Sequence, residues 1–286
     1  MPPLPVRRAL ALALCALLGA CQGTPGEGAS GDSGSPEAAS PDGPGRGTVD
    51  MGTPEPVRLS ADDRQIFADA WRHFLAKSPL WPSRRRLWLS RGEAAEQVLA
   101  ENLFRYFWAM SFRGHAGEVA RVADEARHVG AAAVPWFGRP LLMNSMPLRE
   151  PLKVKVEDPD DPRKSTFQTI DHLDMDDTTR RDAATVLAAI GEPAVPLLSR
   201  HDVLRTGRPG TRRQAARALG RIGGDQAVDA LIGVLVAGAD WTDRAAVVEG
   251  LGQSLPHPRA RAALEQALRD SDPFVRRKAE EALAGK

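Results

Sequence analysis

RDAATVLAAIGEPAVPLLSR at residues 181–200 and RQAARALGRIGGDQAVDALIGVL at residues 213–235 decide the fold of this chain. Laid over each other, they place Arg181-Asp182-Ala183-Ala184 on Arg213-Gln214-Ala215-Ala216, and Ala189-Ile190-Gly191 on Arg221-Ile222-Gly223. A third copy runs from Arg244-Ala245-Ala246-Val247 to Gly250-Leu251-Gly252. A last one begins at Arg276-Arg277-Lys278-Ala279 and ends at Leu283. The first three starting arginines are 32 and 31 positions apart, a period that belongs to stacked helical units. A second apolar segment follows the glycine: Ala194-Val195-Pro196-Leu197-Leu198, then Ala227-Val228-Asp229-Ala230-Leu231-Ile232. Each unit therefore reads as helix, glycine turn, helix.

The residue types fit that assignment. Alanine on the inner side of the first helix lets neighbouring helices approach closely, while Leu and Val at helical spacing fill the core between layers. Glycine just past the first helix permits the left-handed cap that ends it. Pro258 and Pro273 fall at helix starts, where a missing N–H does no harm. One helix pair cannot bury its own apolar face, so stacking must supply the core. The expected fold class is all-α, an α-solenoid of helical pairs. The recurring Arg181, Arg213, Arg244 and Arg277 are expected to serve packing and capping between units, because they recur at the repeat period.

Working outward, Val129-Gly130 and Ala133-Val134-Pro135-Trp136-Phe137 are cousins of Ile190-Gly191 and Ala194-Val195-Pro196-Leu197-Leu198. Trp88 to Trp108, with Gly92 at the turn, reads as an earlier, degenerate unit. Trp71, Trp81, Trp88, Trp108 and Trp136 all fall in this half, and aromatic-rich, irregular sequence suits an N-terminal cap. Gly130 and Gly191 are 61 positions apart, nearly two periods, so either a unit has been lost from recognition or an insertion separates neighbours. Residues 145–177 hold Pro147, Pro151, Pro159 and Pro162, many acids and no helical periodicity, which favours an insertion in the form of a long loop. The segmentation that follows is 57–144 for the aromatic-rich helical part, 145–177 for the acidic, Pro-rich insertion and 178–286 for the repeats.

The start of the chain has a different character. Arg7 and Arg8 precede an apolar run from Ala9 to Leu18, too short to span a bilayer core of roughly 30 Å as a helix. The run ends in Leu18-Gly19-Ala20-Cys21, which resembles the lipobox of bacterial lipoproteins; the other reading is an ordinary signal peptide followed by a chance Cys. The resemblance implies a signal peptide over 1–20, diacylglycerol on Cys21, and, with Gln22 rather than an Asp beside it, an outer-membrane anchor in the cell envelope. Residues 21–56 are Gly, Ser, Pro, Ala and acids, a composition that cannot offset its ordering entropy. A disordered N-terminal tether of roughly 30–35 Å root-mean-square reach is expected.

The wording R-x-A-A-x-x-L-x-x-I-G-x-x-A-V-x-x-L of residues 178–286 resembles the HEAT-like repeats of the phycobilisome-lyase type. The resemblance implies an array that mediates protein–protein contact, with bilin attachment and removal of damaged DNA bases as activities known among HEAT-like relatives.

Little in the sequence points to chemistry. The 286 residues carry 38 basic and 37 acidic side chains, and loss of residues 1–20 leaves 36 against 37, so no basic excess of the kind a nucleic-acid binder needs is present. Both cysteines lie within the first 21 residues, leaving the domain no thiolate nucleophile, disulfide or cysteine metal ligand. The six histidines show no zinc spacing, and no nucleophile elbow or phosphate-cradling loop occurs; Gly220 and Gly223 belong to a helix end. No enzyme activity, cofactor or metal is expected. Asp171, Asp174, Asp176 and Asp177 form the one candidate ion site, of the hard-cation kind, set against a solvated acidic loop in which Asp176 or Asp177 caps the helix starting near Thr178. Arg84-Arg85-Arg86 between Trp81 and Trp88 admits two readings, contact with anionic headgroups or an acidic partner, and arginine stacked on tryptophan. The function expected is a membrane-anchored scaffold for an unidentified protein partner. The alternatives are an envelope structural or sensory lipoprotein binding calcium or cell-wall material, and, last, a lyase-type accessory enzyme.

Overall fold

A computed structural model describes residues 57–111, 115–143, 145–157, 165–174, 176–236 and 240–285. Residues 1–56, with Cys21 and the tether, lie outside the described residues. The helices are α1 (Ala61–Leu75), α2 (Trp81–Leu89), α3 (Glu93–Ser111), α4 (Ala116–Val129) and α5 (Val134–Leu142). Strands β1 (Ser145–Glu157) and β2 (Ser165–Asp174) follow. Then come α6 (Asp177–Ile190), α7 (Val195–Leu198), α8 (His201–Leu204), α9 (Pro209–Ile222) and α10 (Gly224–Val236). The chain continues through α11 (Trp241–Gln253), α12 (Pro258–Ala267) and α13 (Pro273–Leu283).

The helices stack in two rows, as the expected solenoid requires. In the first row α4 packs on α6, α6 on α9, α9 on α11 and α11 on α13. The second row consists of α5, the pair α7 and α8, α10 and α12, each against its own first helix or the next. Because α4 meets α6 directly, the units carrying Gly130 and Gly191 are neighbours, and residues 145–174 stand between them in sequence only.

Small side chains set the first-row spacing. Ala183, Ala184, Ala215, Ala216, Ala245, Ala246 and Ala279 are all buried in the shared core. Glycine carries the closest approach: a Cβ on Gly220 would lie 2.2 Å from the Gly250 carbonyl oxygen, and one on Gly250 would lie 2.5 Å from that of Ala216. No real Cβ tolerates such distances, so α9 and α11 touch backbone to backbone there. Pro258 and Pro273 occupy the first turns of α12 and α13, as anticipated.

The turn glycines differ from expectation in conformation. Gly130, Gly191 and Gly223 have φ of 64°, 87° and 64°, but ψ of −131°, −143° and −157°. That is not the left-handed helical cap; it is a region that only glycine occupies readily, and it sends the chain straight into the second helix. Gly252 is no turn glycine at all. Helix α11 runs through it to Gln253, and its missing side chain admits α13, since a Cβ there would lie 2.8 Å from that of Ala282. The second helix after Gly191 also departs from the pattern. It is split into α7 and α8 at Ser199 and Arg200, the latter in extended geometry with ψ of 144°.

The N-terminal half uses rings where the repeats use aliphatics. Phe74 meets Trp81 and Tyr106 edge-on at 5.3 and 5.2 Å between centroids, joining α1, α2 and α3. Phe104 and Phe107 of α3 pack edge-on against Phe137 of α5, at 5.5 and 5.2 Å. Trp88, fully buried, donates its indole N–H to the Ala95 carbonyl across the Gly92 turn at 2.8 Å. Gly92 has φ of 90°, which again only glycine adopts cheaply.

The insertion is not the structureless loop its prolines and acids suggest. β1 and β2 pair antiparallel, with Leu152 opposite Ile170, Val154 opposite Gln168, Val156 opposite Thr166 and Glu157 opposite Ser165. Leu152-Lys153-Val154-Lys155-Val156-Glu157 alternates apolar and charged residues with period two, the pattern of a half-buried strand. The register slips between Pro147 and Leu152, and Pro151, which has no N–H to give a ladder, falls in that irregular stretch.

Candidate interaction surface

The hairpin leaves the array after α5 and returns at α6, and the predicted ion-site residues are spread along its return. Asp171 lies on β2 where the register slips, and Asp174 pairs with Ser145 at the end of the ladder. Asp176 is the N-cap of α6: its Oδ1 accepts from the Thr179 backbone N–H at 2.7 Å. That carboxylate oxygen is already engaged in capping. Asp177 opens the helix with its side chain 80% exposed, 3.5 Å from Arg180. Among the described residues no group of three or more His, Cys, Asp or Glu side chains is placed to hold a metal ion, and no helix is long and apolar enough to cross a membrane.

The arginines that knit the units together are not the four that the sequence alignment aligned. Arg213 is exposed, and Arg181 is half-exposed beside Asp182. The register that matters is one residue earlier at three of the four positions: Arg180, Arg212, Arg244 and Arg276, each 32 positions from the next. Arg212 reaches from α9 to Asp243 of α11 at 2.5 Å and also donates to the Gly207 carbonyl at 2.6 Å. Arg244 of α11 holds Asp270 with two hydrogen bonds, both 2.8 Å, and Arg276 of α13 donates to the Asp270 carbonyl at 2.6 Å. An unvarying period of 32 was the signal available in the sequence; aligning on Arg-x-Ala-Ala hid it. Arg180 alone of the four makes no such contact. Its nearest carboxylate is that of exposed Asp177, while its Nε and Nη2 are buried without a partner.

The Arg84-Arg85-Arg86 run does not stack on Trp81 or Trp88, and its members differ in role, with Arg86 exposed. Arg85, largely covered, meets buried Glu125 of α4 in an ion pair of 2.6 Å, and Arg84 lies 3.6 Å from Asp69 of α1. Arginine does stack on tryptophan in this fold, but at Arg139 over Trp136, 4.3 Å from the ring centroid.

A polar cluster that sequence reasoning did not find closes the N-terminal end. Glu118, in the first turn of α4, accepts from Lys77 at 2.5 Å, from the Tyr106 hydroxyl at 2.8 Å and from Arg121 Nε at 2.9 Å. Arg121 also donates to the Phe74 carbonyl and stacks over the Phe74 ring, 4.1 Å from its centroid. The four groups come from α1's end, α3 and α4, far apart in sequence, so no local motif announces them. Lys77 first, with Tyr106 and Arg121, holds the Glu118 carboxyl down at about 2 from an ordinary 4.5, against the opposing effect of burial. Burial and the adjoining carboxylate push the Tyr106 phenol up. A carboxyl depressed on folding stabilises the protein fully above its unfolded pKa, and that contribution is lost as pH falls. The window here runs from about 4.5 down to about 2. Glu118→Gln is expected to flatten the acid limb of a urea-stability profile across that window; an unchanged slope would show that the cluster does not link protonation to folding.

His73 and His257 are each occupied by a neighbour, Ser78 and Asp225, both at 3.0 Å. A family model for HEAT repeats matches residues 167–252 and again 234–285, so this part of the chain carries HEAT repeats. The match begins within β2 and runs to the end of the last helix. No curated protein matches the chain.

Proposed function

We propose that this chain is a lipid-anchored scaffold of the bacterial cell envelope, holding a protein partner on its HEAT-repeat array. The observation that carries the reading is the unbroken stacking of helix rows from α4 to α13, with a two-stranded hairpin issuing between the first two of its units. Such rows present an extended face for recognition, and an antiparallel pair offers two open strand edges to another chain. Cross-unit arginines with carboxylate partners, among them Arg212, Arg217 and Arg244, are engaged in holding the stack, which fits a rigid surface better than a working active site. Leu18-Gly19-Ala20-Cys21 supports the anchor, and Gln22 supports the outer membrane as its site. The R-x-A-A wording supports grouping the repeats with the phycobilisome-lyase type, as a likeness of architecture rather than of chemistry.

The test is capture of partners from detergent-solubilised membranes by the tagged full chain and by a version in which 145–174 is replaced with a short Gly-Ser link. Ser145 pairs with Asp174, so the ends to be joined are adjacent, and Asp176 stays in place to cap α6. A protein captured reciprocally by the full chain and lost with the hairpin assigns recognition to the hairpin. One captured by both forms assigns it to the helical rows. If neither form captures a protein reciprocally, the scaffold reading fails. Cys21→Ser should move the protein out of the membrane fraction; continued membrane association would sink the anchor.

A further inference from the structure

Arg180 is a buried guanidinium with one edge unused. Its side chain is 5% exposed, and Nε and Nη2 have no hydrogen-bond partner. Nη1 reaches only Asp177 Oδ1, at 3.5 Å. Nε and Nη2 together form the side of the fork that takes a carboxylate with two parallel hydrogen bonds. Elsewhere in this chain that same edge is filled. Arg244 gives it to Asp270 at 2.8 and 2.8 Å, and Arg200 gives it to Asp202 at 3.0 and 3.0 Å.

The surroundings bring donors as well as the two carboxylates of Asp176 and Asp177, neither of which reaches Nε or Nη2. Helix α9 begins beside Arg180 with Arg208 at its N-cap and no side chain capping it, whereas α6, α11 and α13 are capped by Asp176, Asp240 and Asp272. The N–H groups of Gly210 and Thr211 belong to the first turn of α9, where no intrahelical acceptor exists. Asp177 Oδ1 marks how close the two features are: it is 3.5 Å from Arg180 Nη1 and 2.5 Å from where a Cβ on Gly210 would stand. Burial, then the neighbouring Arg208, work against the positive charge of Arg180, with Asp177 and Asp176 favouring it more weakly. An unsatisfied buried guanidinium is costly, and an apolar side chain of similar volume would hold the helices without that cost.

We propose that the junction of the N-terminal ends of α6 and α9 binds a carboxylate, held side-on by Nε and Nη2 of Arg180, with Arg208 and the first-turn N–H groups of α9 completing the cradle. Nε and Nη2 are closed to solvent as the helices stand, so the two helix ends must part to admit it. The carboxylate is that of a small organic acid or of an acidic side chain on another polypeptide, and the site stands whether or not the chain is a scaffold.

The experiment compares melting of the full chain, in detergent, in sodium acetate and in sodium chloride at equal ionic strength, and then with a tetraglutamate peptide. Acetate is expected to raise the wild-type midpoint by a few degrees over chloride, since a ligand that binds only the folded state stabilises it. Arg180→Met should abolish that shift while melting no lower than wild type in chloride, and Arg208→Gln should at least halve it. A peptide shift at tenfold lower concentration than acetate identifies an acidic polypeptide as the source; equal or weaker action identifies a small acid. Coincident acetate and chloride curves for the wild type would overturn the proposal. So would a shift retained in Arg180→Met, or Arg180→Met melting well below wild type in chloride.

Discussion

Gly220→Ala should destabilise this protein by about 3 kcal/mol, the upper end of what one added methyl group costs in a packed interior. The added carbon would fall 2.2 Å from the Gly250 carbonyl oxygen, and backbone on a packed helix has no rotamer with which to retreat. Helices α9 and α11 must therefore separate along their whole contact, loosening the burial of Ala215, Ala216, Ala245 and Ala246 beside it. In a solenoid, stability is close to a sum over units and their interfaces, so a damaged interface also divides the molecule. We expect the urea transition to split, with α11–α13 melting before the part that precedes them. A single transition within ~0.5 kcal/mol of wild type would show that α9 and α11 are not held at backbone contact. Gly117→Ala is the control. Gly117 lies in α4 with nothing within 4 Å of its would-be Cβ, so that substitution should be neutral or slightly stabilising.

The helical rows were legible because their determinants are local and repeated. Ala at fixed offsets, a glycine after Ile190 or Ile222 and proline at a helix start each constrain backbone or spacing without reference to distant residues. What those glycines do was harder to read. Gly191 and Gly252 occupy like positions in the sequence alignment, yet one turns the chain and the other makes room for Ala282, and only the neighbouring helix distinguishes the two roles. The hairpin was obscured by its composition. Prolines and acids dominate 145–177, and the six-residue alternation from Leu152 to Glu157 is short beside them. The polar cluster on Glu118 and the unpaired, buried edge of Arg180 were not legible at all. Each depends on which groups three separate helices bring, or fail to bring, to one point. Asp176 falls between these cases: a carboxylate three residues before a free helix N–H signalled a cap, and Thr179 accepts that role as the donor.

Arg85→Met should cost about 3–5 kcal/mol, because it strands the Glu125 carboxylate in the interior. The two side chains are 12% and 8% exposed and meet at 2.6 Å, joining α2 to α4 across the aromatic layer. Water does not reach such a pair well enough to replace a lost partner, whereas the exposed pair of Arg127 and Asp124 could be broken at little cost. Replacing both members tests this directly. Arg85→Met with Glu125→Leu removes the stranded charge as well as its partner, and it should recover to within ~1 kcal/mol of wild type. Urea denaturation of the two single variants and the double then gives a coupling energy, expected to exceed about 2 kcal/mol because the single losses do not add. Additive losses would mean that the two residues act separately and that the short contact contributes nothing. Recovery in the double variant would instead fix the role of the central arginine of the Trp81–Trp88 segment. It ties the first helix pair to the array, and only Arg84 and Arg86 of the three remain near enough to the surface to meet anything outside.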